Sequence, residues 1–157
     1  MAGRENGRSN PAVREERMKT LPILLAVVLL AGCSMFRSGG GSPRMNLSSD
    51  LDKAAMYGYY NEASSLLGMK GPDTISVRTI EGTVRSNDPR WFGKRIGDRG
   101  VALGHVSGNQ VTLYTTHGRY HPRVPLWEMG RVILWANGMK DNDEGRRILI
   151  EAGFPRP

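Results

Sequence analysis

Three histidines, His105, His117 and His121, are the side chains best suited to acid–base or metal chemistry in this sequence. A zinc site needs three or four converging ligands, and the sequence has only one cysteine and no H-E-x-x-H helix. No ordered nucleophile motif such as G-x-S-x-G accompanies the histidines. The sequence therefore assigns no catalytic residue, no metal ligand and no cofactor, and it favours a protein that is not an enzyme.

Two carboxylate pairs leave a hydrolytic alternative open. Glycoside hydrolysis needs two carboxyl groups at a defined separation, and Asp88 or Asp98 together with Glu128 would supply them. That separation is a property of the folded chain and is not readable from the sequence. A periplasmic cell-wall hydrolase that uses a histidine and a carboxylate is therefore the alternative function, and a metal or small-ligand carrier is a third.

Aromatic and basic residues cluster in two stretches, 90–95 and 119–123. Arginine and tryptophan side chains together can bind anions and stack on sugar rings. If the fold brings the two stretches together, they line one site for an anionic glycan. The alternative is that the aromatic rings only cover a sheet edge. The candidate ligand contacts are Trp91, Arg95, His117, Arg119, Tyr120, His121 and Arg123.

The single cysteine, Cys33, follows an uncharged apolar run, LPILLAVVLLAG, at residues 21–32. A basic residue before such a run and small residues at its end are typical of a secretory signal. As a helix, the run would reach only about 18 Å, against about 30 Å for the hydrocarbon core of a bilayer. The pattern therefore indicates an export signal and not a membrane span.

Leu30, Ala31, Gly32 and Cys33 resemble the lipobox of bacterial lipoproteins at all four positions. The resemblance implies that signal peptidase II recognises the first three residues and cleaves before Cys33. It also implies a diacylglyceryl cysteine with a further acyl chain, such as palmitate, on the new amino terminus, and hence firm membrane anchoring. Ser34, in place of an acidic residue, favours the outer membrane, with the domain facing the periplasm.

The same pattern divides the chain into four segments. Residues 1–17 hold three acids and a proline, unlike a short basic signal start, so we expect translation to begin at Met18 and residues 1–17 to be a mis-assigned extension. Residues 18–32 are the signal peptide. Residues 33–46 are the lipidated cysteine and a Gly- and Ser-rich flexible tether, and residues 47–157 form a single small domain.

Helical patterns occur at both ends of this domain. Apolar residues recur at helical spacing over residues 49–67, where Ser49 and Asp52 resemble a capping box. Near the end of the chain, LWEMGRVILWANG has a second helical stripe, although RVILW alone also fits a buried strand. Asp141 or Asp143 is expected to cap a further helix. The sequence thus predicts an N-terminal helix before the strands and one or two C-terminal helices after them.

Strand signals occupy the middle of the domain. The β-branched run over 74–84 predicts a strand with a bulge near residue 78, because its apolar phase shifts by one position. Residues 86–100 are expected to form a surface loop. Residues 101–106 and 110–116 predict a hairpin that turns again at His117. We expect an antiparallel meander of about four strands in an α+β fold with segregated elements.

Charge and anchor together indicate a role in the cell envelope. The formal net charge of +7 biases the chain toward anionic neighbours without selecting one of them. Nucleic acid is not expected as a partner of an exported domain. The sequence therefore predicts a membrane-anchored envelope lipoprotein, not an enzyme, that binds an envelope protein or peptidoglycan through its domain.

Overall fold

The computed structural model describes residues 41–98, 100–139 and 142–157. The predicted signal peptide, the lipobox-like residues 30–33 and the predicted extension lie outside the described residues, as does Asp141. Residues 40–157 form one compact unit with its own hydrophobic core. Its described part contains helices and two small sheets, so the α+β class expected from the sequence is present.

The described chain begins with a strand, a helix and a parallel strand. β1 spans Arg44–Leu47, α1 spans Lys53–Leu67 and β2 spans Thr74–Glu81. β1 and β2 pair in parallel, so α1 is part of the crossover connection that parallel neighbours require. Residues 44–46, which the sequence assigned to the tether, belong to the folded sheet, and a strand precedes the first described helix.

Capping residues define both ends of α1. The Asp52 carboxylate accepts a hydrogen bond from the Ala55 amide at 2.7 Å, and Asp52 has the extended backbone of an N-cap. Gly68 ends the helix with φ of 62°, a conformation that glycine adopts without a Cβ clash. The predicted capping box at Ser49 is wrong, because Asp52 itself is the cap and the helix begins at Lys53.

The main sheet is mixed and not an antiparallel meander. Its strand order is β1-β2-β7-β6, where β6 spans Gly104–Ser107 and β7 spans Gln110–Thr116. β7 runs parallel to β2 and antiparallel to β6, and β8 (Arg119–Tyr120) pairs with the end of β7. The hairpin and the second turn are present as predicted. The meander prediction is wrong because the chain after β2 crosses back to the end of the sheet where β2 begins. β7 therefore runs parallel to β2 and not antiparallel to it.

A second, smaller sheet occupies the region that the sequence predicted to be a surface loop. β3 spans Val84–Arg85, β4 spans Phe92–Arg95 and β5 spans Val101–Ala102. The strands pair antiparallel in the order β3-β4-β5. β5 leads directly into β6, so the small sheet is joined to one edge strand of the main sheet.

The two faces of the main sheet differ in burial. Ile75 and Val77 of β2 are buried in the core with the helices, so the alternation along a strand places Arg78 and Ile80 on the opposite face, here termed the outer face. β2 pairs with β7 without interruption over residues 76–81, so the bulge predicted near residue 78 is absent. The shift in apolar phase arises instead because Ile80 lies on the outer face, where 42 % of it is exposed.

α2 (Val124–Ala136) is the central helix of the core. Its residues 124–130 and 132–134 are all buried, because α1, the sheet and a third helix contact it from different sides. A helix that is apolar on nearly every side must be enclosed in this way. The alternative assignment of RVILW to a strand is therefore wrong.

α3 (Asp143–Glu151) and the segment after it complete this enclosure. Asn142, and not Asp143, caps α3 by accepting a hydrogen bond from the Gly145 amide at 3.1 Å. A Cβ on Gly130 of α2 would lie 2.6 Å from Leu149 and 2.6 Å from Phe154. Glycine at that position therefore permits the close packing of the last segment on α2.

The Glu81 carboxylate fixes the turn between β7 and β8. It accepts hydrogen bonds from the Thr115 hydroxyl at 2.6 Å, the His117 amide at 2.7 Å and the Gly118 amide at 3.4 Å. These bonds, with the Thr115 hydroxyl as the largest cause, lower the pKa of Glu81 below its ordinary value. His117 adopts a positive φ of 51° in this turn. The ionised carboxylate thus holds a backbone conformation that non-glycine residues rarely adopt.

Stability should depend on pH through Glu81. Because its pKa is lower in the folded protein, its contribution is present above the unfolded pKa and is lost as the pH falls through the folded pKa. We expect Glu81→Gln to lower the melting temperature at pH 7 and the difference from wild type to shrink as the pH falls below the ordinary carboxyl pKa of 4.5. Thermal melts check this, with Glu62→Gln at an exposed position of α1 as the control. A difference independent of pH would contradict it.

Candidate functional site

A cleft of about 580 Å³ lies between the loop after β3, the β5–β6 segment, α2 and α3. Pockets that hold small ligands commonly measure about 300–1,000 Å³. Its lining residues in the described part of the chain are Ser86, Asn87, Asp88, Val101, Ala102, Leu103, Gly104, His121, Val124, Trp127, Glu128, Arg131, Arg146, Ile150, Arg156 and Pro157.

Gly104 lets α2 come close to the edge of the main sheet on one side of the cleft. A Cβ at this position would lie 2.6 Å from Val124 Cγ1 and 2.7 Å from Glu128 Oε1. Only glycine leaves room for both side chains. The start of α2 is therefore held against β6, and Glu128 reaches the cleft from this position.

Glu128 and Arg131 form a buried ion pair on the α2 wall. Arg131 Nη1 donates to Glu128 Oε2 at 2.7 Å, and the side chains are 15 % and 3 % exposed for Arg131 and Glu128. Taking charges out of water costs several kcal/mol per ion, so such a pair persists only where its geometry and further contacts compensate. The pair makes this wall polar but contributes no net charge to the cleft.

Asp88 shapes the loop that forms the opposite wall. Arg90 donates to both carboxylate oxygens, from Nε at 3.0 Å and from Nη2 at 2.7 Å, and its amide donates at 3.1 Å. These bonds lower the pKa of Asp88 to about 2. Ser86 Oγ donates to the Asp88 carbonyl at 2.8 Å. Asp88 is therefore ionised at neutral pH, and its charge is balanced by Arg90.

The remaining lining combines apolar side chains with a basic rim. Trp127, Ile150 and Leu103 are its larger apolar members, contributed by α2, α3 and the β5–β6 segment. Arg146 and Arg156 are exposed and line the cleft. Their positive charge is not balanced by the carboxylates of the cleft, because Asp88 is paired with Arg90 and Glu128 with Arg131. The cleft is thus suited to a ligand with an apolar body and negative charge.

His121 lines the cleft immediately before α2. Its ring meets the Trp91 ring edge-on, with centroids 5.1 Å apart and an interplanar angle of 68°. Its Nδ1 accepts a hydrogen bond from the Arg123 amide at 3.2 Å, which puts the proton of the neutral ring on Nε2. Burial, and next the Arg123 charge, lower the pKa of His121. At neutral pH the free nitrogen is therefore a hydrogen-bond donor and not a general base.

The two aromatic–basic stretches meet at the contact between Trp91 and His121. Of the candidate contacts predicted from the sequence, His121 lines the cleft, and Arg123 borders it through a hydrogen bond from Nη1 to the Arg156 carbonyl at 3.4 Å. Arg95 of β4 and Arg119 of β8 are exposed and do not line it.

The other predicted contacts have structural surroundings. Tyr120 packs against the hydrophobic core, and burial raises the pKa of its phenol. His117 lies in the β7–β8 turn, and His105 lies on β6 opposite Thr112. Among the described residues, no group of three or more His, Cys, Asp or Glu side chains is placed to hold a metal ion.

Sequence reasoning missed most of the cleft residues on α2 and α3. The sequence suggested Glu128 only as a hydrolytic partner of Asp88 or Asp98. Asp88 lines the cleft together with Glu128, whereas Asp98 does not. The signal for Glu128 and Arg131 is their spacing of three in an otherwise apolar helix, because buried polar groups require partners. Arg146 carries no such signal, since exposed arginines on helices are common.

No protein-family model matches this chain, and no curated protein or solved structure is significantly similar to it. None of the helices in the described ranges is long and apolar enough to cross a membrane. The cleft is the feature of the described residues from which a function is inferred below.

Loss of the Arg131 charge should destabilise the protein, because the buried Glu128 carboxylate then lacks its guanidinium. We expect Arg131→Met to lower the free energy of unfolding at pH 7 by about 3 kcal/mol, the usual order when one member of a buried pair is removed. Adding Glu128→Gln should recover part of this loss, because no buried charge remains. Urea unfolding at pH 7 measures all three differences.

The control for this measurement is Arg147→Met on α3. Arg147 Nε lies 3.7 Å from Glu151 Oε1, and both side chains are largely exposed. An exposed pair of this kind contributes less than about 1 kcal/mol. If Arg147→Met and Arg131→Met destabilise the protein equally, the buried pair has no special role.

Proposed function

We propose that this protein is a membrane-anchored envelope lipoprotein, without enzymatic activity, whose domain binds an envelope protein or peptidoglycan. The observation that carries the binding role is the cleft between β5, α2 and α3, with its apolar lining and basic rim. A concave surface that combines apolar side chains with a few polar groups is the usual form of a ligand site. The matching partner offers apolar groups together with negative charge.

The proposed anchor is the diacylglyceryl group on Cys33, for which the lipobox resemblance over residues 30–33 is the support. Acyl chains would hold the domain at a membrane, and Ser34 favours the outer membrane. Ten residues lie between Cys33 and Arg44. A linker of that length spans at most about 34 Å when fully extended, so the proposed anchor would keep the domain near the bilayer on the periplasmic side.

The hydrogen bonds of the cleft favour binding over catalysis. Glu128 is paired with Arg131, Asp88 is paired with Arg90, and His121 Nδ1 accepts a backbone hydrogen bond. A hydrolase needs a base or an activated nucleophile that can reach the substrate. These titratable groups instead hold the walls of the cleft in place.

A cell-wall hydrolase is the second candidate, because Asp88, Glu128 and His121 line the same cleft. Catalytic hydrogen bonds often form only in the substrate complex, so contacts in the unliganded protein can rearrange. Lysis of purified sacculi that is lost in His121→Ala would favour this candidate over the binding role.

Lipidation is tested by intact-mass analysis of the protein from a membrane fraction. We expect a species that begins at Cys33 and carries acyl chains, because the thiol is the acceptor that the lipobox presents. Inhibition of signal peptidase II should cause the uncleaved precursor to accumulate, and Cys33→Ala should yield neither acylation nor cleavage. An unmodified full-length chain in the soluble fraction would contradict the proposed anchor.

The cleft is tested by photo-crosslinking in growing cells. A benzophenone amino acid at Ile150, which lines the cleft and is 38 % exposed, should give crosslinked products because a bound partner contacts that side chain. Leu66 on α1, 40 % exposed and outside the cleft, is the matched control and should give none. A discrete product of higher mass that muramidase leaves unchanged indicates a protein partner, and muramidase-sensitive products indicate peptidoglycan. Equal products at both positions would contradict the assignment of the cleft.

A further inference from the structure

Two guanidinium groups of the cleft have no carboxylate partner in the described part of the chain. They belong to Arg146 of α3 and to Arg156, which follows α3, and both side chains line the cleft. The carboxylates of the lining, Asp88 and Glu128, are already paired with other arginines. A ligand that contacts both guanidinium groups must therefore bring negative charge of its own.

A histidine adds a further hydrogen-bond donor to the lining. His121 Nδ1 accepts a hydrogen bond from the Arg123 amide, so the neutral ring carries its proton on Nε2. The ring itself lines the cleft. A carboxylate accepts hydrogen bonds at both of its oxygens and matches such donors better than a neutral polar group does.

The apolar part of the lining is suited to small apolar groups. Val101, Ala102 and Leu103 are half-buried, and Ile150 is 38 % exposed, so each can contact the methyl groups of a ligand. The ion pair of α2 lies in the same lining. A long acyl chain would take that pair further out of water without offering a hydrogen bond. The amide groups of a peptide can form hydrogen bonds there.

The aromatic residues near the cleft do not favour a sugar ring. Trp127 is the only tryptophan, tyrosine or phenylalanine among the described lining residues, and it is only 8 % exposed. Trp91 lies outside the lining, and its ring meets the His121 ring edge-on. Stacking on a sugar requires an open aromatic face. The described lining therefore fits a peptide better than a glycan strand.

The size of the cleft favours a short segment over the surface of a folded protein. A stable interface between two proteins buries about 800 Å² on each partner. A cleft of about 580 Å³ instead has the size of a site for a small ligand. The cleft thus fits a short peptide that carries carboxylates and small apolar side chains.

We propose that the cleft binds the stem peptide of peptidoglycan, with its carboxylates on Arg146 and Arg156 and its methyl groups on the aliphatic lining. Stem peptides combine the methyl groups of alanine with free carboxylates, so one short chain supplies both kinds of contact. The inference rests on the proposed binding role of the cleft, and it selects peptidoglycan from the two proposed partners.

Isothermal titration calorimetry tests this binding with the chain that begins at Ser34, which lacks the proposed acyl group. Residues 40–157 of that chain form a compact unit with its own core. The probe is the N-acetylated tetrapeptide of L-alanine, γ-linked D-glutamate, meso-diaminopimelate and D-alanine. We expect this peptide to bind, whereas its form with amidated carboxyl groups and peptide-free glycan chains should not. Equal binding of the amidated peptide, or binding of the glycan chains alone, would overturn the proposal.

Two double variants with the same loss of charge locate the site. Arg146→Gln with Arg156→Gln should weaken binding of the tetrapeptide about tenfold or more, because it removes charge-assisted hydrogen bonds. The control is Arg147→Gln with Arg44→Gln, which changes two exposed arginines outside the cleft and should bind within about twofold of wild type. Thermal melts show whether both variants are folded. Equal weakening in the two variants would contradict a site in the cleft.

Failure of this inference is distinguishable from failure of the proposed function. If the tetrapeptide does not bind while the crosslinker at Ile150 gives a discrete product that muramidase leaves unchanged, the cleft retains its binding role and the stem-peptide proposal is wrong. If the tetrapeptide does not bind and the products at Ile150 and Leu66 are equal, both proposals for the cleft are wrong. Acylation of Cys33 is measured separately and does not depend on either result.

Discussion

Burial of α2 is the constraint on which the rest of this structure depends. Its residues 124–130 and 132–134 are enclosed, and a helix that is apolar on nearly every side needs neighbours on nearly every side. α1, the sheet, α3 and Phe154 provide them. The approach is closest at Gly104 and Gly130, where no Cβ would fit. The first βαβ unit and the last helix are therefore joined in one core, although they lie at opposite ends of the domain.

The candidate cleft is a consequence of that packing. Glu128 and Arg131 face the place where the cover of α2 is incomplete, and their ion pair holds two charges in a nearly buried position. A pair of this kind contributes little net stability compared with apolar residues, but the removal of one member is costly. The polar wall is thus part of the core. The affinity of the proposed ligand would come mainly from apolar lining such as Trp127 and from the rim arginines.

Local patterns were sufficient to place the helices and the hairpin, because periodicity and turns act between near neighbours, but the N-caps of α1 and α3 were misassigned. They were not sufficient for strand order: β2 and β7 pair in parallel across about 34 residues of sequence, as in the bond from Arg78 to Thr112. The sequence predicted a bulge before Ile80 because an apolar residue on the exposed face breaks the alternation of apolar and polar positions in the same way as an inserted residue does. The cleft joins residues 86–88 to residues 146–157, and no local pattern connects them.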